Sequence, residues 1–167
     1  FDAPALTATE SVKTDAAALL LNAQFASEAT PVIKLNLQLN NLKDEIVVRF
    51  KNGATAQMDR GMDALKMKST SPQVPFMYSE LNGEKYSINS LPFSGAAQII
   101  PIATEVNVNG NYFVSTPEFR NFNSFSCVIL EDLQTGEVYN LKGFEGASIY
   151  MTTADVQPRF QLTVYPF

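Results

Sequence analysis

Residues 32–39 (VIKLNLQL) set Ile33, Leu35, Leu37 and Leu39 in alternation with Lys34, Asn36 and Gln38. A repeat of two puts every second side chain on one face of an extended chain, so this segment reads as a strand with one buried and one wet face. Similar segments follow. Residues 45–50 (EIVVRF) read as the next strand, with 40–44 as the turn before it. Segments 76–80 and 84–89 flank Asn82-Gly83, a pair that supplies the positive φ of a tight hairpin turn. Segments 98–106 and 111–115 flank a second such pair, Asn109-Gly110, and 124–131 and 137–141 flank Thr135-Gly136. Segments 147–153 and 159–165, with 155–158 between them, complete the series. Short strands with turn chemistry every ~8–12 residues predict an all-β fold, here an antiparallel β-sandwich of Ig-like or jelly-roll Greek-key type.

A chain of 167 residues suits one domain. That length buries roughly 70% of the surface exposed when unfolded, enough for a core without covalent staples. Residues 31–167 are assigned to the sandwich, and 1–30 to an N-terminal extension or edge segment. Within the extension, 14–27 suits either a helical turn, through its Ala and Leu content, or an edge strand. A composition 46% hydrophobic and 17% charged argues against disorder. Net charge is −5, with no Lys/Arg cluster, which argues against a nucleic-acid partner. No apolar run is long enough for a membrane span. The run 16–21 (AAALLL) lacks the basic flank of a signal peptide. A chain that opens on Phe1 is expected to be a mature product or an excised piece of a longer one.

The inventory of reactive groups is short. Without histidine, the commonest general base, the usual Ser and Cys triads and most zinc sites are gone. The one cysteine, Cys127, lies in the apolar run 125–130 and reads as a buried, inert thiol. Glu131 and Asp132 are strand neighbours and point to opposite faces, so they cannot flank one bond. Asp59 and Asp63 come together if 58–66 is a turn. They then suit backbone capping and pairing with Arg60 or Lys66, an oxygen-ligand calcium site, or a hydrolytic carboxylate pair. Capping is the reading adopted: no catalytic residue, metal or cofactor is assigned.

The chain lacks Trp but holds six Tyr and twelve Phe. Tyr78, Tyr86, Tyr139 and Tyr150 fall in predicted strands, as core residues or as platforms for sugar rings. Phe119, Phe122 and Phe125 stand three apart, either packed under the sandwich end or exposed as a contact patch. Tyr112 follows a turn. Its hydroxyl either ties a Greek-key corner or belongs to an ordinary strand tyrosine.

Two segments, 58–66 (MDRGMDALK) and 86–92 (YSINSLP), are more idiosyncratic than strand propensity requires. In order with them stand DEIVVRFKNGAT (44–55), IPI (100–102), GNYFV (110–114), LEDLQTGEVYNL (130–141) and RFQL (159–162). Together, over roughly residues 33–164, they resemble a β-rich domain of secreted Bacteroidetes proteins, the one that precedes the C-terminal sorting domain of type IX secretion. Met58 and Met67 stand where that family usually has Phe and Leu, both volume-tolerant exchanges. The resemblance implies a secreted or surface-attached, non-enzymatic accessory module acting in adhesion, assembly or presentation of neighbouring domains. Its implied partners are protein or glycan at the cell surface, and the type IX machinery through a sorting domain that does not follow Phe167. Asp59, Asp63 and Lys66 would then be structural, and Asn89 and Pro92 would shape the turn of SINSLP. The alternative is a carbohydrate-binding module using exposed Tyr or Phe.

Overall fold

The computed structural model describes residues 30–166. The segment 14–27 and nearly all of the proposed extension lie outside them. Eleven strands and no helix appear among the described residues. They are β1 (Val32–Leu39), β2 (Leu42–Phe50), β3 (Ala64–Leu65), β4 (Phe76–Leu81), β5 (Glu84–Leu91) and β6 (Gln98–Glu105). Then come β7 (Gly110–Arg120), β8 (Phe125–Asp132), β9 (Val138–Asn140), β10 (Ala147–Met151) and β11 (Phe160–Pro166). The fold is all-β, as the alternation requires.

The strands join one continuous mixed sheet in the order β10-β7-β1-β2-β5-β4-β6-β11-β8-β9, with β3 pairing β5 beside this path. Every pair along it is antiparallel except β2 and β5, which run parallel from Val47↔Ile88 to Phe50↔Leu91. The expected ladder was antiparallel throughout. A parallel pair needs a long crossover, and residues 51–83 supply it without a helix.

Two of the anticipated hairpins form as read. Asn82 (φ 53°) and Gly83 (φ 81°) both adopt the left-handed backbone of a tight turn between β4 and β5. The turn containing Gly136 joins β8 to β9. The Asn109-Gly110 pair does not make a hairpin: β6 pairs β4 and β11, whereas β7 pairs β1 and β10. The chain instead crosses from one part of the sheet to another there, and again between β10 and β11. Asn-Gly reports a sharp change of direction, and only the strand partners decide whether it closes a ladder. The turn after β1 is also shorter than expected, because Leu42, Lys43 and Asp44 join β2 and leave a two-residue connection.

Three prolines fall in strands: Pro166 ends β11, and the two interior ones each have a local reason. Pro117 lies where β7 bulges against β1, between the Lys34↔Glu118 and Asn36↔Ser115 pairs. A bulge tolerates a residue with no N–H to donate. Pro101 follows the end of the β4–β6 register, which stops at Ile102.

One hydrophobic cluster joins both ends of the sheet path. It contains Leu35 and Leu37 of β1, Met151 of β10, Leu130 of β8 and Leu162 of β11. Strands eight places apart share this interior, so the sheet curls around it. Leu35, flanked by β2 and β7, is fully buried. Leu35→Ala should therefore lower stability by about 2–5 kcal/mol. A urea midpoint falling at unchanged slope would record the loss. Leu65→Ala, at a position 46% exposed, should stay within about 0.5 kcal/mol of the parent.

Candidate functional site

The crossover block 58–66 is held by its own carboxylates. Asp59 accepts the Thr55 N–H at 2.5 Å on one oxygen and the Thr55 hydroxyl at 3.1 Å on the other. Its carbonyl accepts the N–H groups of Met62 and Asp63 at 3.0 and 2.9 Å, closing the turn. Asp63 accepts the Asp59 N–H at 2.7 Å and the Ser90 N–H at 2.7 Å, fastening that turn to β5. All four carboxylate oxygens thus have a donor. No group of His, Cys, Asp and Glu suited to a metal ion is found among the described residues.

Neighbouring cations complete the fastening. Arg49 donates to the Ser90 hydroxyl at 2.9 Å and to the Met62 carbonyl at 2.5 Å. Lys66 was expected to pair with Asp59 or Asp63. It pairs instead with Asp44 at 2.6 Å, with only 6% of its side chain exposed, and also donates to the Glu45 carbonyl at 2.9 Å. The second Asp44 oxygen accepts the Met77 N–H at 2.8 Å, so one carboxylate links β2, the crossover and β4. The long sequence separation of this pair hid it.

Asn89 and Pro92 do not act as a turn pair. Asn89 lies inside β5 in register with Val48, is buried, and its Oδ1 lacks a hydrogen-bond partner among the described residues. The Pro92 carbonyl accepts the Gln98 amide at 2.9 Å, tying the end of β5 to the start of β6. Tyr112 does bridge a corner. Its ring is buried and its hydroxyl donates to the Val108 carbonyl at 2.8 Å, where the chain crosses into β7.

The strongest electrostatic feature was missed in the sequence. Arg159 forms a two-pronged pair with Asp132, Nε to Oδ1 at 2.7 Å and Nη2 to Oδ2 at 2.8 Å, and both side chains are almost wholly buried. Arg159 also bonds Asp155 and donates to Gln134 at 2.9 Å, while the Gln134 N–H caps Asp132 at 3.0 Å. Burial pushes the Asp132 carboxyl up, but the Arg159 hydrogen bonds and charge together with the Gln134 N–H outweigh it and leave it below the usual range. Two connections, 133–137 and 152–159, converge on this guanidinium at the entry to β11.

At one end of the curled sheet lies an open recess of about 400 Å³. Its apolar wall is Phe119, Phe122, Phe125 and Val128; Phe119 and Phe122 stack at 4.6 Å with 15° between ring planes. Phe122 and Phe125 are buried in the main cluster, so the EFRNFNSF segment is mostly packing with one open side. Cys127 reaches this recess and is partly exposed rather than buried.

Of the four strand tyrosines considered as sugar platforms, Tyr78 and Tyr86 are buried. Tyr139 packs on Phe144 and donates to Glu137, and burial with that carboxylate pushes its hydroxyl up to about 12. Tyr150 is 59% exposed. It shares the outer sheet face with Phe113, itself half exposed, two pairs along the β10–β7 register. Phe113 lies against Gly146 (φ 153°), where an added Cβ would meet the ring at 2.3 Å.

A family model described as a domain of unknown function (DUF8693) matches residues 21–164, most of the chain, so this chain belongs to that family. No curated protein and no solved structure matches it.

Arg159→Ala leaves Asp132 charged and unpaired in the interior, and should cost about 3–5 kcal/mol. Replacing both partners, Asp132→Leu with Arg159→Met, should cost less. The pH response separates them. Because the folded-state pKa of Asp132 is depressed, its pair contributes fully above the unfolded-state pKa, about 3.9, and is lost as pH falls through the lower folded value. The parent should therefore lose melting temperature below about pH 4. In Arg159→Ala the buried carboxyl favours its neutral form, so acidification from neutrality to about pH 5 should raise the melting temperature.

Proposed function

We propose that this chain is a non-catalytic accessory module of a secreted or surface-attached bacterial protein. The module serves adhesion, assembly or presentation of neighbouring domains, in the manner of the Bacteroidetes domains that precede a type IX sorting domain. The observation that carries this reading is the use made of the 58–66 block. Its paired carboxylates hold backbone N–H groups and a Ser90 contact, a structural role. We read the curled sheet as a two-layer Greek-key sandwich whose sheets stay joined through β5 and β4, with Tyr112 at one corner. The outer face over β6, β11 and β8 supplies a contact surface, with Ile99 61% exposed and Tyr165 beside it.

The proposed location is extracellular. An antibody against this chain, applied to intact and to lysed cells of the source bacterium, should detect it on the surface or in the medium. Detection confined to the lysed fraction would overturn the reading. Asp59→Asn and Asp63→Asn should each lower the melting temperature, by losses of about 1 kcal/mol, since the Thr55, Asp59 and Ser90 N–H groups lose a charged acceptor.

A carbohydrate-binding module is the second reading, favoured by one observation. Tyr150 and Phe113 are adjacent exposed rings on one sheet face, with Asn111 and Gln38 beside them in register. Such rings stack on sugar C–H faces while amides bond hydroxyls. On a glycan array any signal should vanish in Tyr150→Ala and weaken in Gly146→Ala, which displaces the Phe113 ring. Absence of binding at high micromolar glycan would retire this reading.

A further inference from the structure

The recess beside β8 has a composition that its fold does not require. Its walls are the Phe119–Phe122 stack, Phe125 and Val128, and its remaining lining is Arg120, Lys142, Cys127 and three asparagines, 121, 123 and 140. No Asp or Glu contributes to it, although the chain as a whole carries a net charge of −5. Arg120 is paired with Glu118 at 2.6 Å. Lys142 has no carboxylate partner among the described residues, while its backbone N–H is fixed by Asn140 at 3.0 Å. The Asn121 side chain donates to the Thr30 carbonyl at 3.0 Å and anchors one rim. A volume of about 400 Å³ is ample for one aromatic ring with a short chain.

We propose that this recess is a binding site for a small carboxylic acid with an aromatic or branched apolar body. The body would lie against the Phe119–Phe122 stack, and its carboxylate would meet Lys142 at the rim. Aromatic faces attract an apolar ring by area and by offset stacking. Lys142, a cation with no carboxylate partner among the described residues, selects the charged end, whereas Arg120 is already shared with Glu118. The selection is for sign: an amine of the same shape meets the like charge of Lys142, and an alcohol gains no ionic attraction. This site stands apart from the sheet faces invoked above, and neither surface reading depends on it.

Cys127 makes the test direct, because it is the sole cysteine and lines the recess. The rate of its alkylation by iodoacetamide is measured with the full chain, alone and with 3-phenylpropionate, 3-phenylpropanol or 3-phenylpropylamine. For a dissociation constant of ~1 mM, ~2 mM acid should slow alkylation about threefold, and the amine should not slow it. Lys142→Glu, at an exposed position, should keep the parent melting temperature and lose the protection by the acid. The surface control Lys43→Glu should keep it. Equal protection by the amine, none by the acid, or unchanged protection in Lys142→Glu would each overturn the proposal.

Discussion

Parallel pairing of β2 with β5 is the constraint around which the remainder of the sheet is arranged. Antiparallel neighbours can be joined by two residues, but parallel ones demand that the chain travel back the full length of a strand. Here that return has no helix to stiffen it. Its rigidity comes from hydrogen bonds to carboxylates: Asp59 closes the turn, Asp63 attaches it to Ser90, and Asp44 holds Lys66 and the Met77 N–H together. The unusual composition of 58–66 is therefore the chemistry of a crossover. Charged residues suit it because each oxygen can accept a backbone donor that no ladder reaches.

A second charged centre does equivalent work at the opposite side of the path. The Asp132–Arg159 pair lies where the β8–β9 turn, the connection after β10 and the start of β11 meet. A guanidinium presents five donors in a fixed plane, which lets one side chain satisfy acceptors from several loops. Apolar side chains of similar volume fill space equally well but cannot bond irregular backbone and side-chain acceptors. The two ionic centres thus organise connections, while the apolar cluster organises strands.

Much of this was legible in advance, for identifiable reasons. Period-two alternation located most strands, because Leu35, Leu37, Val48 and Leu162 must face one interior. The Asn82-Gly83 turn was legible because its backbone requirement is local. Strand partnership was not: Asn109-Gly110 carries the same signal yet separates strands in different parts of the sheet. The 2-residue β3 is too short for any period to show. In the candidate sites, the position of Asp59 and Asp63 in a turn could be read from their spacing. Lys66 with Asp44 and Arg159 with Asp132 could not, since 22 and 27 residues separate the partners. The one available hint was an arginine placed directly before a strand with no charged residue. Phe119, Phe122 and Phe125 were recognisable as a cluster, but the cationic rim around them depends on Lys142, contributed by a different connection.

The separation of partners along the chain also governs how this protein reaches its native state. Strand β1 can zip onto β2 within microseconds as a local hairpin, yet its other edge must wait for β7, some eighty residues later in sequence. Until then the apolar row of β1 has an unsatisfied flank, and loop-closure entropy opposes the join. Topologies of this kind fold in milliseconds to seconds. During that interval the half-built sheet presents an unpaired strand to any passing chain, which makes timing of chain release a selective pressure in its own right.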